Sequence, residues 1–297
     1  MGGSISGKHA IGSYKERIDK CVALTNDLVA KAQEAAVNKL GISENCSVLE
    51  LGCGSGEMIR KTMKKYKKYN ISFTGIDSRP RMVNTTKKKI LKKAKNNGRS
   101  VSLKCQSCVE YLETCEKDKY DIVIASFVLS DFENSKLFGL VHKVTKNGGR
   151  FVILAKSRDN VGELEKYFLQ FVILNPHLFD WNSFLWILIN ERFSYNLPLK
   201  KIIKLLRETK FSKVKSRAKP IVGELSFDDP MDFARWMCEG GWMPRYTNII
   251  KKDKKEIFCR EIAKFLDKKN VKVVGELVRC GKPFKFTMPI HVITAEK

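Results

Sequence analysis

The sequence predicts a doubly wound α/β fold built on a seven-stranded, mostly parallel sheet, and three observations carry that prediction. Short apolar runs alternate with helical stretches through the first half of the 297-residue chain. The first run, Val48 to Leu51, leads straight into the glycine turn Gly52-Cys53-Gly54-Ser55-Gly56. The second run, Ile71 to Ile76, ends on Asp77, twenty-five residues after Gly52. Strand, glycine turn, helix, strand and terminal acid make the mononucleotide-binding half of such a fold.

The elements follow in order. Residues 1–13 read as disordered, or as ordering only over a ligand. Tyr14 to Leu40 reads as one or two helices with an apolar stripe at Ile18, Val22, Leu28 and Ala32. Strands are expected near 47–51, 71–76, 101–105, 121–125 and 150–155, the last entered through a turn at Asn147 to Arg150. Met82, Thr86, Ile90 and Ala94 recur every four residues and mark the buried face of the helix after the second strand. Leu137 to Val144 and Leu199 to Leu206 read as helices, and Lys213 to Ala218 and Phe284 to Ala295 as the last two strands. Pro289 is expected at a bulge or an unpaired position, because it cannot donate to a ladder. The segments 159–197 and 226–268 interrupt the alternation and read as helical, with Asp228-Asp229-Pro230 as a helix start. The organisation is therefore a helical arm (1–40), a cofactor-binding core (41–157), a helical lid (158–197), core again (198–225), a helical cap (226–270) and the final core strand (271–297).

The glycine turn narrows the choice of nucleotide. A dinucleotide site places a third glycine where this chain has Glu57. Glu50, two residues before the first glycine, is a further acid that disfavours phosphate. Glu50, Glu57 and Asp77 suit a ligand that is cationic and carries a free ribose, and S-adenosylmethionine meets both conditions. A side-chain-free loop lets its backbone approach such a ligand closely.

With Tyr120 to Ala125 as the next strand and Ser126 to Asp131 directly after it, the segment from about 45 to 157 resembles the class I S-adenosylmethionine-dependent methyltransferases. The resemblance implies that the glycine turn holds the methionine part of the cofactor and that Asp77 holds its ribose. It places Gln106, Ser107 and Cys108 beside the adenine, where the family often has an aspartate, and Ser126 and Phe127 facing cofactor and acceptor. The expected cofactor site comprises Glu50, Gly52, Cys53, Gly54, Asp77, Ser78, Met82, Ser107, Cys108, Ser126 and Phe127. The inserted helical segments are similar in layout to those of small-molecule methyltransferases such as the histamine N-methyltransferase, juvenile hormone acid O-methyltransferase and trans-aconitate methyltransferase groups. They are expected to cover the cofactor and to enclose a small acceptor, with Trp181, Phe184, Trp186, Trp236, Trp242 and Tyr246 as the aromatic candidates. Asp131 and Tyr14 are the candidate catalytic polar groups, with His177 a weaker one; Asp131 reads equally as a helix cap.

Composition bounds the partners. Nine cysteines, an odd number, indicate a reducing, cytoplasmic setting. Cys105-x-x-Cys108 lacks a second ligand pair, so no metal is expected. The formal net charge is +24, and Arg60 to Arg99 holds 15 Lys and Arg against one acid. Such a face reads as a solvated surface, as a seat on an anionic membrane, or as a nucleic-acid contact. The basic runs lack interleaved exposed aromatics, which weighs against nucleic acid. Met1-Gly2-Gly3-Ser4-Ile5-Ser6 matches the N-myristoylation pattern at Gly2. The functions in play are methyl transfer to N or O of a small molecule, methyl transfer to RNA or protein, and a catalytically inactive, membrane-associated protein that retains the fold.

Overall fold

Strands form here where apolar residues occupy successive positions and both faces of a sheet are covered. A computed structural model describes residues 14–96, 99–129, 133–156, 162–182, 197–217, 219–227, 229–239, 247, 249–268, 278–279 and 284–297. The expectations placed on residues 1–13, on Asp131 and on Phe184, Trp186, Trp242 and Tyr246 lie outside the described residues. The elements are α1 (Tyr14–Val37), β1 (Cys46–Leu51), α2 (Glu57–Lys65), β2 (Ile71–Asp77), α3 (Pro80–Asn96), β3 (Ser100–Cys105) and α4 (Cys108–Thr114). They continue with β4 (Tyr120–Ser126), α5 (Asn134–Val144), β5 (Thr145–Lys156), α6 (Gly162–Leu174), a short 3-10 turn (Pro176–Leu178) and α7 (Leu199–Glu208). The last are β6 (Ser212–Ser216), β7 (Ile221–Phe227), α8 (Pro230–Glu239), α9 (Lys255–Lys268), β8 (Val278–Arg279) and β9 (Phe284–Glu296).

The sheet runs β3-β2-β1-β4-β5-β9-β6, with β7 and β8 also pairing with β9. The pairs among β1 to β5 are parallel, while β9 is antiparallel to β5 and β6. The chain builds outward from β1 to β3, then returns to β4 on the other side of β1. That reversal opens a crevice at the carboxyl ends of β1 and β4.

The chain divides into two compact units. One comprises Leu28–Gly162, Trp186–Gly223 and Met288–Lys297 and holds most of the sheet. Leu49, Leu51, Val123, Ala125, Phe151, Ile153, Ile293 and Ala295 form one buried face with Tyr111 and Leu112 of α4, Phe138 and Val141 of α5, and Ile202 and Leu206 of α7. The alternate residues Val48, Ile122, Ile124, Val152 and Leu154 are buried as well. In α3, Pro80 opens the first turn, where its missing N–H costs nothing. Thr86, Ile90 and Ala94 of its stripe are buried and Met82 is half-buried. Arg99 is buried and donates to the carbonyls of Met63, Tyr66 and Tyr69, satisfying groups at and beyond the end of α2.

The other unit comprises Met1–Asp27, Glu163–Leu185 and Glu224–Thr287. Its core is aromatic: Phe171 lies edge-on to Phe258 and Phe179 at centroid distances of 5.6 and 6.1 Å. Trp236, read from the sequence as a pocket candidate, is fully buried beside Phe233 and helps build this core. Trp181 is 43% exposed.

Two local features depart from the pattern read in the sequence. The turn expected at Asn147 to Arg150 is an irregularity within β5, which already begins at Thr145 and shifts register against β4 between Tyr120 and Ile122. β7 was not expected. Pro289 stands outside the registers that β9 makes with β5, β6 and β8.

Candidate functional site

The site grows from the end of β1. Gly52, Gly54 and Gly56 all have positive φ, at 64°, 53° and 79°. Each is a glycine for a further, different reason. A Cβ on Gly52 would stand 2.2 Å from a methyl of Val128, and one on Gly56 would strike Ile90 and Thr86 of α3 at 2.5 and 2.7 Å. A Cβ on Gly54 would clash with nothing among the described residues, its nearest neighbour being the Gly52 carbonyl in ordinary contact at 4.0 Å. The loop is thus packed shut on two of its glycines and clear at the middle one, where a ligand needs room.

Hydrogen bonds stitch this loop to the end of β2. The Cys53 N–H donates to the Ile76 carbonyl at 2.8 Å, and the Gly54 N–H donates to Asp77 Oδ2 at 2.9 Å. The Thr86 hydroxyl of α3 donates to the Gly54 carbonyl at 2.7 Å. Asp77 is buried, and its Oδ1 accepts the Arg79 N–H at 3.0 Å. The Arg79 guanidinium lies against the same carboxylate.

Glu50 is 2% exposed, and its Oε2 has no hydrogen-bond partner among the described residues. Burial pushes its carboxyl well above the usual carboxylate range; the Ile59 N–H opposes that rise, and the nearby Asp77 and Glu57 add to it. The same burial, with Glu50, Asp77 and Cys108 close by, pushes the Cys53 thiol up. Glu57, expected to line the site beside Glu50 and Asp77, is instead paired with Arg60 at 2.8 Å and Lys89 at 3.7 Å. Two acids therefore characterise the site, and a buried carboxylate oxygen in need of a partner fits a cationic ligand.

The remaining predicted residues fall into three groups. Ser78 is exposed beyond β2, and its carbonyl accepts the Cys105 thiol at 3.8 Å; Met82 is half-buried in the first turn of α3. Ser107 is half-buried just before α4, and Cys108 is buried within it. Ser126 closes β4 in register with Leu154. Phe127 follows with a left-handed φ of 59°, its N–H donating to the Leu154 carbonyl at 2.9 Å. A non-glycine residue held there stores backbone strain at the carboxyl end of the sheet. Tyr14 opens α1, but its side chain, like Asp131, lies outside the described residues. His177 is exposed.

Sequence reasoning missed three contributors: Val128, Thr86 and Arg79. Thr86 had a signal, since it is the one polar member of the α3 stripe. Lys156 ends β5, and burial holds its ammonium down to about 7.

The family model of a methyltransferase domain matches residues 42–186. The chain is 29% identical over 151 residues to malonyl-[acyl-carrier protein] O-methyltransferase 2 of Ilyobacter polytropus, a match covering 48% of this chain and 54% of that protein. The chain thus spans about half the length of the curated relative it matches. In fold it is similar to the YcgJ protein of Bacillus subtilis, with a TM-score of 0.55 at 16% identity over 90% of this chain and 98% of that one. It is also similar to geranyl diphosphate C-methyltransferase of Streptomyces coelicolor, solved with S-adenosyl-L-homocysteine, with a TM-score of 0.51 at 12% identity over 98% and 86%. The glycine turn, the acid that closes β2 and the reversal of strand order beside β1 thus fall within residues 42–186, the stretch that matches the methyltransferase-domain model, and that match indicates S-adenosylmethionine as the methyl donor.

Proposed function

We propose that the chain transfers the methyl group of S-adenosylmethionine to a nitrogen or oxygen of a small-molecule acceptor by in-line displacement. The observation that carries the donor side is the partnerless Glu50 Oε2 beside a glycine loop tethered to Asp77. In this reading Glu50 attracts the cationic end of the donor, the open face of Gly54 receives its amino-acid portion, and Asp77 holds the ribose. Ser78, Met82, Ser107 and Cys108 flank the adenosyl group, while Cys53, Ser126 and Phe127 border the reacting end. The donor, when bound, supplies a methyl on a good leaving group, so alignment and exclusion of water are the protein's main contributions.

A carboxylate acceptor needs no base, whereas an ammonium acceptor must first lose a proton. Asp131 and Tyr14 are the proposed polar groups on the acceptor side. The partial match to an O-methyltransferase supports an oxygen acceptor. The aromatic content of 159–197 and 226–268 supports a compact one, of the size handled by the histamine and juvenile hormone acid groups. A screen of carboxylic acids, amines and phenols for release of S-adenosylhomocysteine tests this. Turnover on a small acceptor is expected; silence across the panel, with methyl transfer to RNA or protein, overturns it.

One observation favours a second reading, in which the basic face meets a polyanion. Lys64, Lys67, Lys68, Arg81, Lys87 and Lys88 form no carboxylate pair among the described residues. We place an anionic membrane surface first among such partners and nucleic acid second. No helix among the described residues is long and apolar enough to cross a membrane. The proposed acyl site at Gly2 lies outside the described residues. Sedimentation with phosphatidylserine vesicles, compared with phosphatidylcholine, separates membrane attachment from a merely solvated surface.

A further inference from the structure

Asp77, the acid expected to hold a ribose, already has its lone pairs occupied. Its Oδ1 accepts the Arg79 backbone N–H at 3.0 Å and Arg79 Nε at 3.2 Å. Its Oδ2 accepts the Gly54 N–H at 2.9 Å and Arg79 Nη2 at 3.4 Å. A carboxylate offers about four acceptor positions, so these four donors fill it.

The four donors are not equivalent. The two backbone N–H groups belong to the glycine loop and to the start of α3, and removing either would dismantle the site. The other two belong to a side chain that is 65% exposed, and their distances lie at the long end for a charge-assisted fork. The guanidinium is therefore the one displaceable ligand of Asp77. A ribose presents two adjacent O–H donors, which match in number the two N–H donors of the guanidinium.

We propose that Arg79 is a built-in stand-in for the ribose: its guanidinium occupies the ligand-facing positions of Asp77 and must swing into solvent before the nucleoside can bind. This rests on the donor-site reading given above. It makes Arg79 a residue that sets cofactor affinity by competition, without joining the methyl transfer. The apo site gains from the arrangement, since a buried carboxylate between β2 and the glycine loop is neutralised while it waits. The cationic donor is also held back, because Arg79 must leave before a second cation settles near Asp77 and Glu50.

An exposed ion pair is a weak competitor, so the effect is modest: removing it tightens binding by about two- to fivefold. The test is calorimetric titration of the full chain with S-adenosylhomocysteine, comparing wild type, Arg79→Ala and Arg79→Lys at low and high salt. Arg79→Ala is expected to bind about two- to fivefold more tightly at low salt, with Arg79→Lys between it and wild type. The gain should shrink at high salt, where the wild-type pair is screened. With 2′-deoxy S-adenosylhomocysteine, which lacks one ribose hydroxyl, the gain should be smaller. Apo Arg79→Ala should melt slightly below wild type, and saturating ligand should abolish that difference. Equal or weaker binding by Arg79→Ala, with wild type binding normally, overturns the proposal and makes Arg79 a support that orients Asp77. Failure of wild type to bind at all removes the donor-site reading and this proposal with it.

Discussion

Replacing Glu50 by glutamine is expected to make the protein more stable at neutral pH and less able to hold its methyl donor. Glu50 sits within β1, opposite Gly75 of β2 and Ile124 of β4, and is almost fully buried. One oxygen has no partner among the described residues, and burial, Asp77 and Glu57 all raise the carboxyl against the Ile59 N–H. Because its folded-state value lies above the unfolded one, ionising this group costs the fold stability that it does not cost the unfolded chain. Stability from this group is complete below about pH 4.3 and declines as pH rises through the folded value. Each unit of that rise corresponds to about 1.4 kcal/mol. An unsatisfied buried acceptor costs about 1–3 kcal/mol, and more when charged. Glutamine keeps the shape and never ionises. The gain at pH 8 should be about 1–3 kcal/mol, or roughly 2–5 °C in Tm, and should shrink toward zero near pH 4. Affinity for S-adenosylhomocysteine should fall about ten- to a hundredfold, the value of a buried hydrogen bond to a charged group. Circular dichroism melts across pH, with calorimetric titration, measure both. A Glu50→Gln protein that is less stable at pH 8 and binds as wild type would refute the reasoning.

Other outcomes follow from the same geometry. Gly52→Ala combines left-handed backbone with a 2.2 Å clash against Val128 and should destabilise the fold by about 2–4 kcal/mol. Gly54→Ala meets no clash among the described residues, so urea unfolding should show a loss of only about 1 kcal/mol, while its affinity for S-adenosylhomocysteine drops at least about tenfold. Lys156 is held down to about 7 in the fold, while the unfolded chain keeps its proton to about 10.4. Stability should therefore rise with pH between those two values, and Lys156→Met should flatten that part of the melting profile.

Much of the fold around the glycine loop was legible because its signals are local. A run of apolar residues broken by three glycines defines β1 and its turn, and an acid at the end of the next run defines β2. The four-residue recurrence from Met82 to Ala94 predicted the buried face of α3, including the threonine that grips Gly54. What escaped reading depends on where the folded backbone aims each side chain and which strands it pairs. Glu57 was expected to face the ligand, but Lys89, one helix further on, draws it away together with Arg60. Arg79 read as one more surface cation, and only the fold of the backbone after β2 turns it onto Asp77. β7 was missed because Gly223 and Glu224 interrupt its apolar alternation. The β5 irregularity was taken for a turn because Gly148 and Gly149 look like one in sequence, while β4 pairs with Thr145 before them and Arg150 after them and the Lys297 backbone bonds both glycines.

The central claim is that Asp77 and the glycine loop together grip the adenosyl donor. Titrating wild type and Asp77→Ala with S-adenosylhomocysteine in a calorimeter tests it most directly. The account predicts saturable, one-to-one binding by the wild-type protein and a loss of at least about tenfold in the variant. Equal affinity in the two proteins, or no heat from wild type at any concentration, would contradict it.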